Sequence, residues 1–331
     1  MPAPFKTRIE QLLDPRFLMR PDPLVNLNGM MIAEPARVDE LAEAFRLVAC
    51  CAEESERERR VAAGLELVRR GELDRGGILV VRGPGGLRGA IVCTPLIGGG
   101  SLIWPPQTRD RNERLLLEDQ LMQEALHWLK LRGVKLVQAL LTGHELESGQ
   151  PLLRAGFQHV TALEYLRHWL ELPLATLGGR EQLRYEVYDQ HTEQLLHETL
   201  LRTYEQTQDF PEVNGVRTIE EIVAGHRAQG LHDPQLWWLA LHRDEAVGVL
   251  LLTAMPDGDG WDVIYLGVVP EARGRGFGRE LALKAVYETR LAEQRQLTLS
   301  VDARNQPARK LYENVGFECH DQREVFLLVW H

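Results

Sequence analysis

Apolar and polar positions along this chain run through the same rhythm twice. In the first round a short apolar strand over 30–33 leads into a helix over 37–51, where Val38, Leu41, Phe45 and Val48 recur at three- and four-residue intervals and share one face. A charged helix over 54–70 follows, then apolar runs at 78–82 and 87–95 separated by Gly83-Pro84-Gly85-Gly86, which has the chemistry of a hairpin turn. A strand at 101–104, a long helix over 112–132 and a strand over 135–141 come next, and the round closes in Ala155-Gly156-Phe157.

The pattern breaks around 172–179 and then restarts. A strand at 185–188 precedes helices over 192–204 and 218–229, and strands at 235–241 and 247–254 are joined by Arg243-Asp244-Glu245. Pro256-Asp257-Gly258-Asp259-Gly260 makes a turn into a strand over 262–269, which runs into a glycine-rich loop. A helix over 278–293, a strand at 297–301, a helix over 307–314 and strands within 317–330 complete the round. Gly156-Phe157 and Gly316-Phe317 hold the same place in the two series, 160 residues apart, which predicts a tandem duplication of one α/β unit. The division expected is a strap or linker over 1–28, proline-rich and without a period, a first unit over 29–171, a linker over 172–180 and a second unit over 181–331.

At 331 residues the chain is long enough for two domains with separate cores. Apolar residues at 44% and charged residues at 26% exclude disordered and fibrous classes. No apolar run approaches the roughly 20 residues of a membrane-spanning helix, and residues 1–20 lack the order of a signal peptide, so a cytoplasmic protein with no membrane partner is expected. Cys50, Cys51, Cys93 and Cys319 offer neither a disulfide framework nor zinc spacing, so reduced thiols and no metal are expected. A net charge of −10 argues against nucleic-acid binding and is compatible with a cationic or amine substrate.

The chemistry concentrates in Val268-Val269-Pro270-Glu271-Ala272-Arg273-Gly274-Arg275-Gly276-Phe277-Gly278, which follows an apolar strand and opens a helix. Three glycines at alternate positions bare main-chain N–H groups where the helix dipole also favours an anion. Arg273 and Arg275 add positive charge, so the segment suits a pyrophosphate; the alternative is a tight turn with no ligand. The spacing is not that of a dinucleotide fingerprint, and the Gly-Lys-Ser/Thr of a Walker A loop is absent.

The loop resembles motif A of the GNAT superfamily of N-acetyltransferases, with Arg273, Gly276 and Gly278 in the positions of its Arg/Gln and its two small residues. Asn305-Gln306-Pro307-Ala308-Arg309-Lys310-Leu311-Tyr312-Glu313-Asn314-Val315-Gly316-Phe317 is similar to the superfamily's motif B. The resemblance covers roughly 185–330 closely and the N-terminal half only in layout. It implies two tandem GNAT-like α/β (α+β) units, each a mixed, mainly antiparallel sheet flanked by helices, with a splayed strand at the cofactor site of the C-terminal unit.

The resemblance further implies acetyl-CoA as co-substrate and an amine as acceptor. Val268 and Val269 would pair through their main chain with the pantetheine arm, residues 273–278 would hold the diphosphate, Phe277 included, and Asn305 would contact the CoA chain or cap its helix. Tyr312 stands where the family places the general acid that protonates the leaving thiolate, the alternative being simple packing. Asp262, six residues before Val268, stands where some members carry a catalytic carboxylate; it is the proposed base, or else it is a solvated turn residue after Asp257 and Asp259. The acceptor side is expected over 204–217, with Tyr204, Gln206, Asp209, Phe210, Glu212 and Asn214. Arg304 and Lys310 either meet the CoA 3′-phosphate or form surface ion pairs.

The corresponding junction in the first round, Trp104 to Asn112, contains no glycine, and Asp110 would repel a pyrophosphate. Aligning Gly156 on Gly316 sets Leu152 against Tyr312 and Glu145 against Asn305, so this copy is expected to be silent. Tandem members of the superfamily share that layout, a pseudo-dimer within one chain that is compatible with a monomer. The function expected is acetyl-CoA-dependent N-acetylation by direct attack of the amine of a small molecule or peptide, with the C-terminal unit active. The alternative is a silent acyl-CoA-binding sensor or interaction module.

Overall fold

The computed structural model describes residues 32–109, 112–170 and 182–330. The expected strap, the whole of the linker over 172–180, Asp110, and half of the expected strand over 30–33 lie outside them. The chain divides into two compact units, one reaching Val160 and including the residues from Arg323 onward, the other Thr161–Gln322.

In the first unit, β1 (Glu34–Pro35), β2 (Ile78–Gly83), β3 (Gly86–Pro95) and β4 (Ser101–Thr108) pair antiparallel in sequence order. β4 meets β5 (Leu136–Leu141) in parallel. Helices α1 (Leu41–Val48) and α2 (Glu54–Arg70) flank the sheet, as do α3 (Arg114–Lys130) and the short α4 (Gln150–Arg154). β2 is apolar at every one of its first four positions because both faces are covered: Ile78 and Val80 join Leu41 and Phe45 of α1, whereas Leu79 and Val81 join Leu117 and Leu121 of α3.

The second unit repeats this arrangement. Its strands are β6 (Gln158–Trp169), entered at Thr161, then β7 (Arg184–Val187), β8 (Trp237–His242), β9 (Glu245–Ala254), β10 (Trp261–Val268) and β11 (Gln296–Asp302). Their order in space is β6-β11-β10-β9-β8-β7, antiparallel except for β10 against β11. α5 (Glu193–Tyr204) and α6 (Ile219–Arg227) cover the Trp237, Leu239 and Leu251 face, and α7 (Phe277–Leu291) with α8 (Gln306–Val315) covers the Trp238, Leu250 and Leu252 face.

The units divide the chain differently from the boundaries read in the sequence. Leu163 to Trp169 of β6 form a ladder with β11 in the second unit, and Glu324 to Val329 of β12 (Glu318–Val329) form one with β5 in the first. A strand's partner is set by long-range pairing, which a local apolar pattern does not encode.

One irregularity of the second sheet positions the site. β10 pairs with β11 only through Trp261, Asp262 and Val263, and its register against β9 slips between Val263 and Tyr265. The bulge bends the strand where its parallel pairing stops, so the remainder of β10 diverges from β11 and leaves main-chain groups exposed along an open edge. The expected splayed strand is therefore present.

Candidate active site

β10 ends in a 3-10 turn over Pro270–Ala272, after which Gly274 and Gly276 take φ of +74° and +88° and α7 begins at Phe277. These left-handed conformations favour glycine, and a Cβ on either residue would meet no protein atom within 4 Å. No loop or turn hydrogen bond engages the N–H groups of Gly274, Arg275 or Gly276 among the described residues. Those of Phe277, Gly278 and Arg279 belong to the first turn of α7, which has no intrahelical acceptors for them. Gly278 has a different role: a Cβ there would lie 2.9 Å from Leu311 Cδ1, so this glycine allows α8 to pack closely on α7.

Arg273 does not face the loop's amides. Its guanidinium donates to the carbonyls of Val268 (3.0 Å), Thr203 (2.9 Å), Glu205 (2.8 Å) and Gln206 (3.2 Å), fastening the loop to the C-terminal end of α5. Arg275 lies over the Phe277 ring, 4.7 Å from its centroid, and donates to His242 Nε2 at 2.9 Å. That contact makes Nε2 the acceptor, so His242 Nδ1–H donates to the Gln182 carbonyl at 3.2 Å.

The main chain of the splayed strand is only partly open. Val269 N–H donates to Val247 O at 3.0 Å, within the sheet, and Val268 O accepts from Arg273. Alternation along the strand then leaves the Val268 N–H and the main chain of Leu266 on the open edge. Of the expected pair, Val269 spends its N–H within the sheet, and Val268 shares the open edge with Leu266.

Asn305 is the N-cap of α8, its Oδ1 accepting from Ala308 N at 3.3 Å. Seven residues further on, Tyr312 is buried, with its ring 5.7 Å from that of Phe317. Its hydroxyl makes no hydrogen bond among the described residues. Burial, reinforced by the charge of Asp209, raises its pKa and keeps the phenol protonated. Desolvation of its carboxyl also raises the pKa of Asp209, although the residue as a whole is exposed and its Oδ1 accepts from Asp302 N at 2.9 Å.

The connection from α5 to α6 is tied to the end of β11. Phe210, at φ +45°, donates its N–H to Asp302 Oδ2 at 3.2 Å, and Asn214 Nδ2 donates to Tyr204 O at 3.3 Å. Arg304 forks between Glu212 (2.6 and 3.0 Å) and Asp302 (2.7 Å to Oδ2), the ion-pair alternative given for it. Asp302 is buried, yet the Arg304 hydrogen bonds outweigh burial and hold its pKa below the usual value. Of the acceptor-side residues expected, Tyr204 and Asp209 use their side chains in contacts with His226 and Asp302, whereas Phe210 and Asn214 make main-chain and loop hydrogen bonds.

Asp262 is not a solvated turn residue. It lies within β10 opposite Thr298, whose hydroxyl donates to Asp262 Oδ1 at 2.7 Å, and burial raises its pKa despite that bond. Sequence reasoning missed Asp302, Tyr265 and His226. Tyr265 read as one more apolar position in a strand, yet its hydroxyl meets Thr203 Oγ1 at 2.6 Å and its ring stands 5.2 Å from Tyr204 and 5.6 Å from His226.

In the first unit β4 meets β5 in a single parallel pair, Leu102 with Gln138, but beyond it lie Pro105 and Pro106, which lack N–H donors for an added strand. Leu152 is fully buried in the core, and Glu145 accepts from Thr142 N at 3.0 Å and pairs with Arg60. This unit carries a half-open pocket of about 300 Å³ lined by Phe45, Leu67, Trp104 and Leu140. Among the described residues no helix is long and apolar enough to cross a membrane, and no group of His, Cys, Asp and Glu is arranged to hold a metal.

Residues 195–317 match the acetyltransferase (GNAT) family. A mycothiol acetyltransferase of Beutenbergia cavernae is 35% identical over 106 residues, 31% of this chain and 35% of that protein. An uncharacterized N-acetyltransferase of Bacillus subtilis, YycN, is 36% identical over 97 residues, 28% of this chain and 62% of that protein. The matched part spans about a third of the length of the mycothiol acetyltransferases. In fold, a GCN5-related N-acetyltransferase from Sphaerobacter thermophilus superposes with a TM-score of 0.62 at 21% identity, over 92% of this chain and 97% of its own. A tandem GNAT protein from the clavulanic acid biosynthesis pathway gives 0.52 at 14% identity, over 90% and 98%. The segment that carries the splayed strand, the glycine loop and Tyr312 therefore belongs to the GNAT acetyltransferase family, within a chain whose fold is that of tandem GNAT proteins.

Proposed function

We propose that the second unit transfers the acetyl group of acetyl-CoA to an amine by direct attack. The observation that carries this reading is the sequence of events along one strand: β10 leaves β11 after Val263, keeps an open main-chain edge, and runs into a loop whose N–H groups from Gly274 to Gly278 have no acceptor in the loop or the first turn. The loop takes the diphosphate, and Leu266 and Val268 pair with the pantetheine arm. Phosphate charge is met by those amides, the dipole of α7 and Arg275, while Arg273 holds the loop in shape.

In the reaction the amine nitrogen attacks the thioester carbonyl carbon and the C–S bond breaks. The oxygen's developing charge is met by N–H groups on the open edge. Tyr312 gives its proton to the departing sulfur, and the proton lost by the nitrogen goes to Asp262, directly or through water. A carboxylate whose pKa is raised by burial is better matched to that task near neutral pH than an exposed one. The test is release of CoA thiol by the purified full chain with acetyl-CoA and a panel of primary amines. Tight acetyl-CoA binding with no release on any amine would favour the silent sensor instead.

Asp262→Asn separates chemistry from stability. Because folding raises this carboxyl's pKa, the group favours the folded state only while protonated, and that contribution is lost as pH rises through the folded value. Asn avoids the buried charge, so the variant should melt higher than wild type at pH 8, and the gain should vanish in acid. Turnover should fall by about 10² or more. Unimpaired turnover with the same gain in melting temperature would remove Asp262 from the mechanism.

A further inference from the structure

Arg217, whose charge acts on both Tyr204 and His226, is a cation with nothing to bind. Arg217, just ahead of the Thr218 N-cap of α6, is partly exposed and makes no hydrogen bond or ion pair among the described residues, and its Nε is buried without a partner. Most arginines of the second unit are engaged, as Arg273 and Arg304 are. An unpaired guanidinium with a desolvated N–H is disfavoured unless a ligand completes it.

His226 supplies the second observation. Its ring lies 5.6 Å from that of Tyr265, Tyr204 OH meets its Nε2 at 3.4 Å, and its Nδ1 is buried without a partner. The imidazole is neutral, its pKa pushed down to about 4 by burial and then by the Arg217 charge. Burial also keeps the Tyr204 phenol protonated, so Tyr204 donates to Nε2 and the ring proton sits on Nδ1. Arg217 Nε–H and His226 Nδ1–H are therefore two unsatisfied donors, and donors alone call for an acceptor-only group. Tyr265 does not supply it: Thr203 donates to Leu200 O at 2.6 Å, which leaves Tyr265 as the donor to Thr203.

Tyr204 feels both the Arg217 cation and the Asp209 carboxylate, and Asp209 also acts on Tyr265 and Tyr312. A molecule with a cation at one end and an oxyanion at the other would be oriented by that pair of charges.

We propose that Arg217 and His226 bind an oxyanion, a carboxylate or phosphate, carried by the acceptor whose amine points toward Asp209. This rests on the acetyltransferase reading of the same site only for what the anion belongs to. The substrate class is then a primary amine bearing an oxyanion, such as an amino acid or an amino-alkyl phosphate, and amines without an anionic group are poor acceptors.

The experiment has two arms on the full chain. In the first, acetate and inorganic phosphate are titrated against wild type while the ring signals of His226 and the Nε signal of Arg217 are followed by NMR. A saturable shift is expected with at least one of them, lost in Arg217→Gln and partly kept in Arg217→Lys, with melting curves confirming that both variants fold. No shift, or one that Arg217→Gln leaves intact, overturns the site. In the second arm CoA release is measured with β-alanine, O-phosphoethanolamine and propylamine. At least one of the two oxyanion-bearing amines should exceed propylamine in kcat/KM by about tenfold or more, which also separates carboxylate from phosphate. Arg217→Gln should remove that margin through KM. Propylamine matching both oxyanion-bearing amines overturns the proposal while the transferase stands. An oxyanion shift with no release on any amine leaves the site standing and removes the transferase reading.

Discussion

Gly276→Asp should weaken acetyl-CoA binding by at least about a hundredfold while the protein still folds. A side chain at 276 would meet no protein atom within 4 Å, so it projects into open space in front of the bared amides rather than into the core. Each charge-assisted hydrogen bond lost from a diphosphate removes about 1.5–3 kcal/mol, and a carboxylate among those amides takes their donors and repels the ligand. The φ of +88° adds strain for any residue with a Cβ, about 1–2 kcal/mol, which Gly276→Asn shares without the charge. Calorimetric titration should therefore rank wild type above Asn and Asn above Asp. Equal weakening in the two variants would assign the effect to backbone strain instead.

Tyr312→Phe should lower kcat by about 10² or more and leave acetyl-CoA affinity within about twofold of wild type. The phenol hydroxyl has no protein partner among the described residues, so its removal leaves no buried group unsatisfied, and the ring keeps its contact with Phe317. The raised pKa of Tyr312 also predicts that wild-type kcat shows no alkaline loss from this group anywhere near neutrality. A Phe variant as active as wild type would return Tyr312 to a packing role.

Much of this was legible in the sequence because local chemistry wrote it there. The charged helix predicted over 54–70 is α2, and the run from 261 to 268 lies within one residue of the predicted strand because apolar period and flanking glycines mark its ends. The loop was legible because left-handed φ at Gly274 and Gly276 demands glycine. What escaped was set by tertiary contacts. Nothing local distinguishes Arg273, which clasps four carbonyls, from Arg275, and Gly278 reads like its neighbours although its role is to admit Leu311. β6 was passed over as a strand, because its polar residues include Glu164 and His168, which are buried through contacts the sequence does not show. Arg217 and His226 lie nine residues apart and carry no recognisable motif.

The account turns on main-chain N–H groups of residues 274–278 receiving the diphosphate, and amide NMR of the labelled chain titrated with CoA and with pantetheine reads that contact directly. CoA should move the 274–278 amides more than any other stretch, whereas pantetheine, which has no diphosphate, should move Leu266 and Val268 and leave the loop still. Loop amides that respond to neither ligand would contradict it.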